Sequence, residues 1–257
     1  MSFTWKSLGL FFCFQLSAFA FDHTHSEFDS FLTDYVKVHE FHSEFDYGSA
    51  LKDKNKLKKY TDALSSVKQS DFDSWNEKQK LSFLINAYNA FTIQLILDNY
   101  PVDSIKDSKI SFFSPFKKSF FKLFNKERSL GEVEHEMIRS WFKEARIHFA
   151  IVCASIGCPA IQNKAFSESN LESMLEKGAN TFMSDKTRNR YSKKDQELQI
   201  SKIFDWFEDD FKRDFGSVKA FVIKYMPLSD EEKQAVLSSS TDVDYTDYNW
   251  KLNQVKK

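Results

Sequence analysis

Over residues 75–100 the chain is apolar on nearly every side of a helix. Leu81, Leu84, Ile85, Tyr88, Phe91, Leu95 and Ile96 share one face, and Phe83, Ala87, Ala90, Ile93 and Leu97 make much of the other. A helix that is apolar all round must be covered on every side, so the rest of the chain has to wrap it. Pro101 stops it, because proline has no N–H to continue the ladder. Asn86 and Asn89 stand within this apolar stretch, three residues apart. A buried amide left unpaired costs about 1–3 kcal/mol, so each must bond something. They either tie down a neighbouring loop or orient a catalytic group.

The wrapping has to come from a chain of 257 residues with 28 phenylalanines and only 6 glycines and 4 prolines. Few turn formers and many long apolar–polar repeats favour helices over a sandwich or barrel. The expected fold is α+β, a helix-dominated single domain with a small sheet of short strands. With 36 basic and 37 acidic residues no global field exists to hold nucleic acid or an anionic membrane.

Residues 1–20 read as a secretory signal: Lys6, a short apolar run and an Ala18-Phe19-Ala20 cleavage site. That run is too short for a membrane span, and no later segment is long enough either. The expected organisation is a removed signal over 1–20, one domain over 21–228 and a loosely held polar tail over 229–257. The mature protein is expected to be exported, to the periplasm or beyond. Its oligomeric state is left open.

Helical spacing marks a first helix through Phe28, Phe31, Leu32 and Tyr35, capped by Thr24 or Ser26, and a second through Leu51, Leu57, Tyr60 and Leu64. The pairs His23/His25 and His39/His42 lack a cysteine or carboxylate frame, so neither a metal nor a cofactor is expected. Residues 110–124 mix phenylalanine with Lys117, Lys118 and Lys122. They are expected to turn their rings inward while the lysines snorkel out, rather than dip into a membrane. Ser129 and Glu132 form a capping box for a helix that presents Glu134, His135 and Arg139. Ser169 and Glu172 are a second possible box, before a helix through Leu171, Leu175 and Phe182.

Chemistry concentrates in residues 146–159, Arg-Ile-His-Phe-Ala-Ile-Val-Cys-Ala-Ser-Ile-Gly-Cys-Pro. Residues 147–152 read as a short buried strand and the rest as a loop, with a second strand expected over 198–202. Alternation would put His148 and Cys153 on opposite faces, leaving Cys158 free to reach either. Cys153 and Cys158 form a structural disulfide, a dithiol–disulfide redox pair, or the nucleophile of a thiol enzyme. A disulfide needs its Cα atoms within about 7 Å, and Gly157 is expected to supply the turn. The candidate catalytic set is Cys158 as nucleophile with Cys153, His148 as base and Asn86 or Asn89 orienting it. Glu134 with His135 is the fallback base. Arg139, Arg146, Ser155 and Tyr88 are candidate contacts for a small molecule or peptide. The alternative is a non-enzymatic binding or interaction module, with Asn86, Asn89, Arg139 and His148 lining a polar pocket and Cys153–Cys158 as a structural disulfide.

Several short motifs occur together and in order: Phe45-Asp46-Tyr47, Ile85-Asn86-Ala87-Tyr88-Asn89-Ala90, Tyr100-Pro101, Glu134-His135-Glu136-Met137-Ile138-Arg139, Arg146-Ile147-His148-Phe149-Ala150, Cys153-Ala154-Ser155-Ile156-Gly157-Cys158-Pro159, Arg188-Asn189-Arg190-Tyr191 and Ser201-Lys202-Ile203-Phe204. In these the chain resembles the bacterial branch of the domain-of-unknown-function 547 family, over about 21–225. The resemblance implies no assigned activity. Relatives that join the domain to glutaredoxin imply thiol chemistry or binding.

Overall fold

The computed structural model describes residues 21–255; the expected signal over 1–20 lies outside them. Asn76 opens the central helix, Glu77–Asn99, through a capping box. Its side chain accepts from the Gln79 amide at 3.0 Å, and the Gln79 side chain accepts from the Asn76 amide at 3.2 Å. From Leu81 to Leu97 every residue except Gln94 is buried. Side chains such as Phe83, Leu84 and Ile85 each contribute about 1.5–3 kcal/mol by that burial. The helix Lys54–Ser66 packs on the central one, and Ser26–Tyr35 packs on Lys54–Ser66. Phe28 stacks on Tyr60 across that second contact, ring centroids 4.9 Å apart.

A second core gathers Phe149, Phe182, Phe204, Phe211 and Phe221 between the helices Leu171–Ser184, Glu208–Phe215 and Val218–Tyr225. Beside it lies a sheet of three short strands. Glu197–Ser201 is central, antiparallel to Arg190–Ser192 and parallel to Asp242–Thr246. The fold is α+β and helix-dominated, with small sheets. Among the described residues no helix is long and apolar enough to cross a membrane.

Several expectations need correction. Residues 147–152 are not a strand: Ala145–Phe149 is a 3-10 helix that starts where the Glu144 carboxylate accepts from the Arg146 amide. An apolar run of this length marks burial, and periodicity alone cannot tell strand from helix. The expected tail is also ordered. Ser229 and Glu232 cap the helix Asp230–Leu237, Asp242–Thr246 joins the sheet, and residues 248–254 return across the first core. Neither Thr24 nor Ser26 caps the first helix by its side chain; the Asp22 carboxylate accepts from both their amides. The Ser169–Glu172 box does not form, and Ser169 bonds Ser167 instead. In the aromatic–basic stretch Phe121 and Phe124 are buried as expected, but Phe112 and Phe113 are 90% and 101% exposed.

Candidate functional site

Ser129 and Glu132 do form their capping box, and the turn that follows is π-helical over Glu132–Ile138. A π turn widens the ladder, and the Arg139 amide here donates back to the Glu134 carbonyl, five residues away. It turns the Glu134 side chain inward, to 8% exposure, against Tyr88 of the central helix. The 3-10 helix supplies His148, and the irregular segment over 248–254 supplies Tyr248 and Trp250. With Cys153 and Cys158 these line one cavity of about 330 Å³. Phe116, Ile151, Ile203, Trp206 and Phe207 make most of the rest of its wall apolar.

Proton affinities in this wall are strongly shifted. Burial pushes the Glu134 carboxyl up to about 7, against the hydrogen bond from Tyr88 and the attraction of Arg139. It pushes His148 down to about 4, even though Asp210 favours its charged form. His148 is therefore neutral at neutral pH. Its Nε2 lies 2.7 Å from Asp210 Oδ2. Burial raises the Asp210 carboxyl, but hydrogen bonds from His148 and Arg139 outweigh it and hold the group ionised. An ionised carboxylate only accepts, so Nε2 carries the proton and Nδ1 is left as a bare lone pair. Arg139 donates from Nε to the same Asp210 oxygen at 2.6 Å and from Nη1 to His135 Nδ1 at 3.0 Å. Its guanidinium lies over Phe207, which also stacks with His148 at 3.9 Å and meets the His135 ring at 6.3 Å.

Cys153 and Cys158 are joined as a disulfide, with Cα atoms 6.3 Å apart. The two sulfurs are not equivalent. Cys158 is 4% exposed and accepts two hydrogen bonds at Sγ, from the Cys153 amide at 2.9 Å and the Tyr248 hydroxyl at 3.1 Å. Cys153 is only partly buried, and its Sγ lies 3.0 Å from the Tyr248 hydroxyl. Burial keeps the Tyr248 phenol protonated far above neutrality, so it remains a donor. The loop is pinned from two sides. The Gly157 and Ile156 amides donate to the Asn249 and Lys251 carbonyls at 2.8 Å each. Arg188 donates to the Cys158 and Ile156 carbonyls at 2.6 and 2.7 Å.

Gly157 does stand in a tight turn, closed by the Cys158 amide donating to the Ser155 carbonyl at 3.0 Å, but it is Ala154 that takes a left-handed conformation, at φ 60°. Glycine is needed at 157 for closeness, because a Cβ there would sit 2.9 Å from the Tyr248 ring.

The structure brings Cys153, Cys158, His148, Glu134, His135 and Tyr88 to one cavity, where strand alternation had separated His148 from Cys153. It does not bring the asparagines there. Asn86 exchanges hydrogen bonds with the Phe166 backbone at 2.7 and 3.0 Å. Asn89 donates to the Ala150 carbonyl at 2.9 Å and accepts from the Val152 amide at 2.9 Å. It thereby substitutes for a neighbouring strand and fixes the segment that delivers Cys153. Asn89→Ala is expected to cost about 2 kcal/mol by orphaning both backbone groups, measured as a shift in the urea midpoint. Arg146 is spent on Glu144, Glu172 and Glu176 at 2.6, 2.6 and 3.0 Å. Ser155 is buried and weakly bonded to the Cys153 carbonyl at 3.4 Å.

Sequence reasoning did not single out Asp210 or Tyr248. Asp210 stands three residues after Phe207, on a helix of buried aromatic spacing. Tyr248, Trp250 and Leu252 alternate within the supposed tail. Both patterns were available as signals.

A family model described as "Protein of unknown function, DUF547" matches residues 72–183. That is a shorter stretch than the resemblance over 21–225, and it carries no distinction of branch. No curated protein and no solved structure matches the chain.

Proposed function

We propose that this member of the DUF547 family, matched over residues 72–183, is a thiol–disulfide enzyme acting through Cys153 and Cys158. The observation that carries the reading is the asymmetry of the pair at the cavity wall. An incoming thiolate reaches the less buried Cys153 sulfur. A new S–S bond forms there, the Cys153–Cys158 bond breaks, and Cys158 leaves as a thiolate held by the Cys153 amide and Tyr248. Two donors on sulfur favour its anion, and a stabilised thiolate is the better leaving group. A second thiol of the same substrate then displaces Cys153, so a dithiol is oxidised by two electrons as the pair is reduced. Glu134, poised near neutrality, is matched to accept the thiol proton. His148 offers Nδ1 as an acceptor, and Asp210, not an asparagine, orients its ring. Export by residues 1–20, as in the bacterial branch, would place the pair in an oxidising compartment.

The test uses the oxidised protein and a small dithiol in the absence of denaturant. The pair is expected to reduce while the protein stays folded. Tyr248→Phe is expected to slow that reduction about tenfold by weakening the leaving thiolate. Cys158→Ser, given a small disulfide such as oxidised glutathione in place of the dithiol, is expected to trap a mixed disulfide at Cys153, the other half of the reagent leaving as a thiolate. Reduction that occurs only on unfolding would overturn the reading and leave a binding pocket with a disulfide in its wall.

A further inference from the structure

We infer that the loop over 111–116 docks the mouth of this cavity onto an anionic lipid bilayer. The tip of the loop is Phe112 and Phe113, both essentially fully exposed. Among the described residues neither ring packs against another aromatic side chain, and both are held in water. The charge around them is one-sided. Between positions 106 and 126 stand six lysines and a single acidic residue, Asp107, in a chain of net charge −1. Some of these ammonium groups are fixed near the loop: Lys118 donates to the Ile110 carbonyl at 3.0 Å and Lys109 to the Pro101 carbonyl at 3.3 Å. Lys106 lies over the Trp250 ring, 3.2 Å from its centroid.

The tip is also continuous with the cavity. Ser114, Phe116 and Lys117 follow it directly and line the cavity wall. Phe116 meets Trp250 at 6.3 Å, and Trp250 meets Trp206 at 5.8 Å, so an aromatic path leads inward from the exposed pair. Lysine is depleted from the apolar centres of protein–protein interfaces. A ring of lysines around inserted aromatics instead matches an anionic headgroup layer over acyl chains, with tryptophan at the polar boundary. The bilayer is therefore the occupant that both the apolar tip and its charge fit. This inference is independent of the thiol chemistry.

Co-sedimentation of the intact protein with lipid vesicles tests it. The probes are vesicles of phosphatidylcholine alone and of phosphatidylcholine with about one-third phosphatidylglycerol. Binding is expected on the anionic vesicles, with little on the neutral ones, and is expected to weaken with added salt. The double variant Phe112→Ser, Phe113→Ser is expected to lose at least about tenfold in affinity. Its circular dichroism and melting should match the parent, because neither ring packs on the fold. Absence of binding to anionic vesicles, or equal binding by the variant, overturns the inference. So would capture by a protein partner with no lipid binding.

Discussion

Asp210→Asn is expected to destabilise the fold by about 3 kcal/mol, the low end of what breaking a buried ion pair costs. The carboxylate is the shared acceptor for Arg139 at 2.6 Å and His148 at 2.7 Å, with Arg213 at 3.4 Å. An amide of the same shape removes its charge and leaves the Arg139 guanidinium without it. The low end of the range applies because the Arg139 side chain keeps a quarter of its surface in water. The amide also frees the His148 tautomer, since its nitrogen donates where the carboxylate only accepted. Urea unfolding measures the loss, and the imidazole nitrogen shifts of His148 report the tautomer. If stability fell but Nε2 kept its proton, Asp210 would be an ion-pair partner that does not set the ring. A loss below about 1 kcal/mol would mean the two arginines are adequately solvated without it.

How much of this was legible beforehand depends on whether a residue's role is written in its near neighbours. The central helix was, because burial on all sides leaves no polar face between Leu81 and Leu97, and because Pro101 ends it. Asn86 and Asn89 were legible as amides that must be bonded, though only the fold shows that they bond backbone at 166 and at 150–152. Cys153 and Cys158 announced themselves by chemistry. The conformation before them did not, since Asn89 satisfies the Ala150 and Val152 backbone groups that strand partners would otherwise bond. The cavity's other groups come from far along the chain. Asp210 lies 62 residues from His148, and Tyr248 lies 95 from Cys153. Local composition marked the last segment as polar, whereas its alternating Tyr248, Trp250 and Leu252 point at the cysteine loop and core. Phe112 and Phe113 escaped for a different reason: packing rings inward is the usual outcome, and nothing local distinguishes the two that stay out.

Glu134→Gln is expected to change the pH dependence of stability more than any other substitution in the cavity. In the folded state the carboxyl titrates near 7, above its ordinary 4.5. The folded state therefore holds this proton more tightly than the unfolded chain between those values. Its contribution is fully present below about 4.5 and is lost as pH rises through about 7. At 1.36 kcal/mol per unit, the loss is about 3 kcal/mol. His148 and His25 act in the opposite sense. Burial lowers them to about 4 and about 3 from 6.5, so the unfolded chain takes their protons first and stability rises with pH across that span. Glu134 offsets part of that rise in the native protein. Glutamine stays neutral and still accepts from Tyr88, so the variant shows the histidine slope alone. Measured by urea unfolding at pH 5, 6, 7 and 8, its stability relative to the parent should climb by about 3 kcal/mol across the series. Parallel curves would show that Glu134 ionises in the fold as readily as in water, and its assignment as the proton acceptor for thiol exchange would go with it. A climb that appears together with unchanged reduction kinetics would keep the buried acid but remove it from the chemistry.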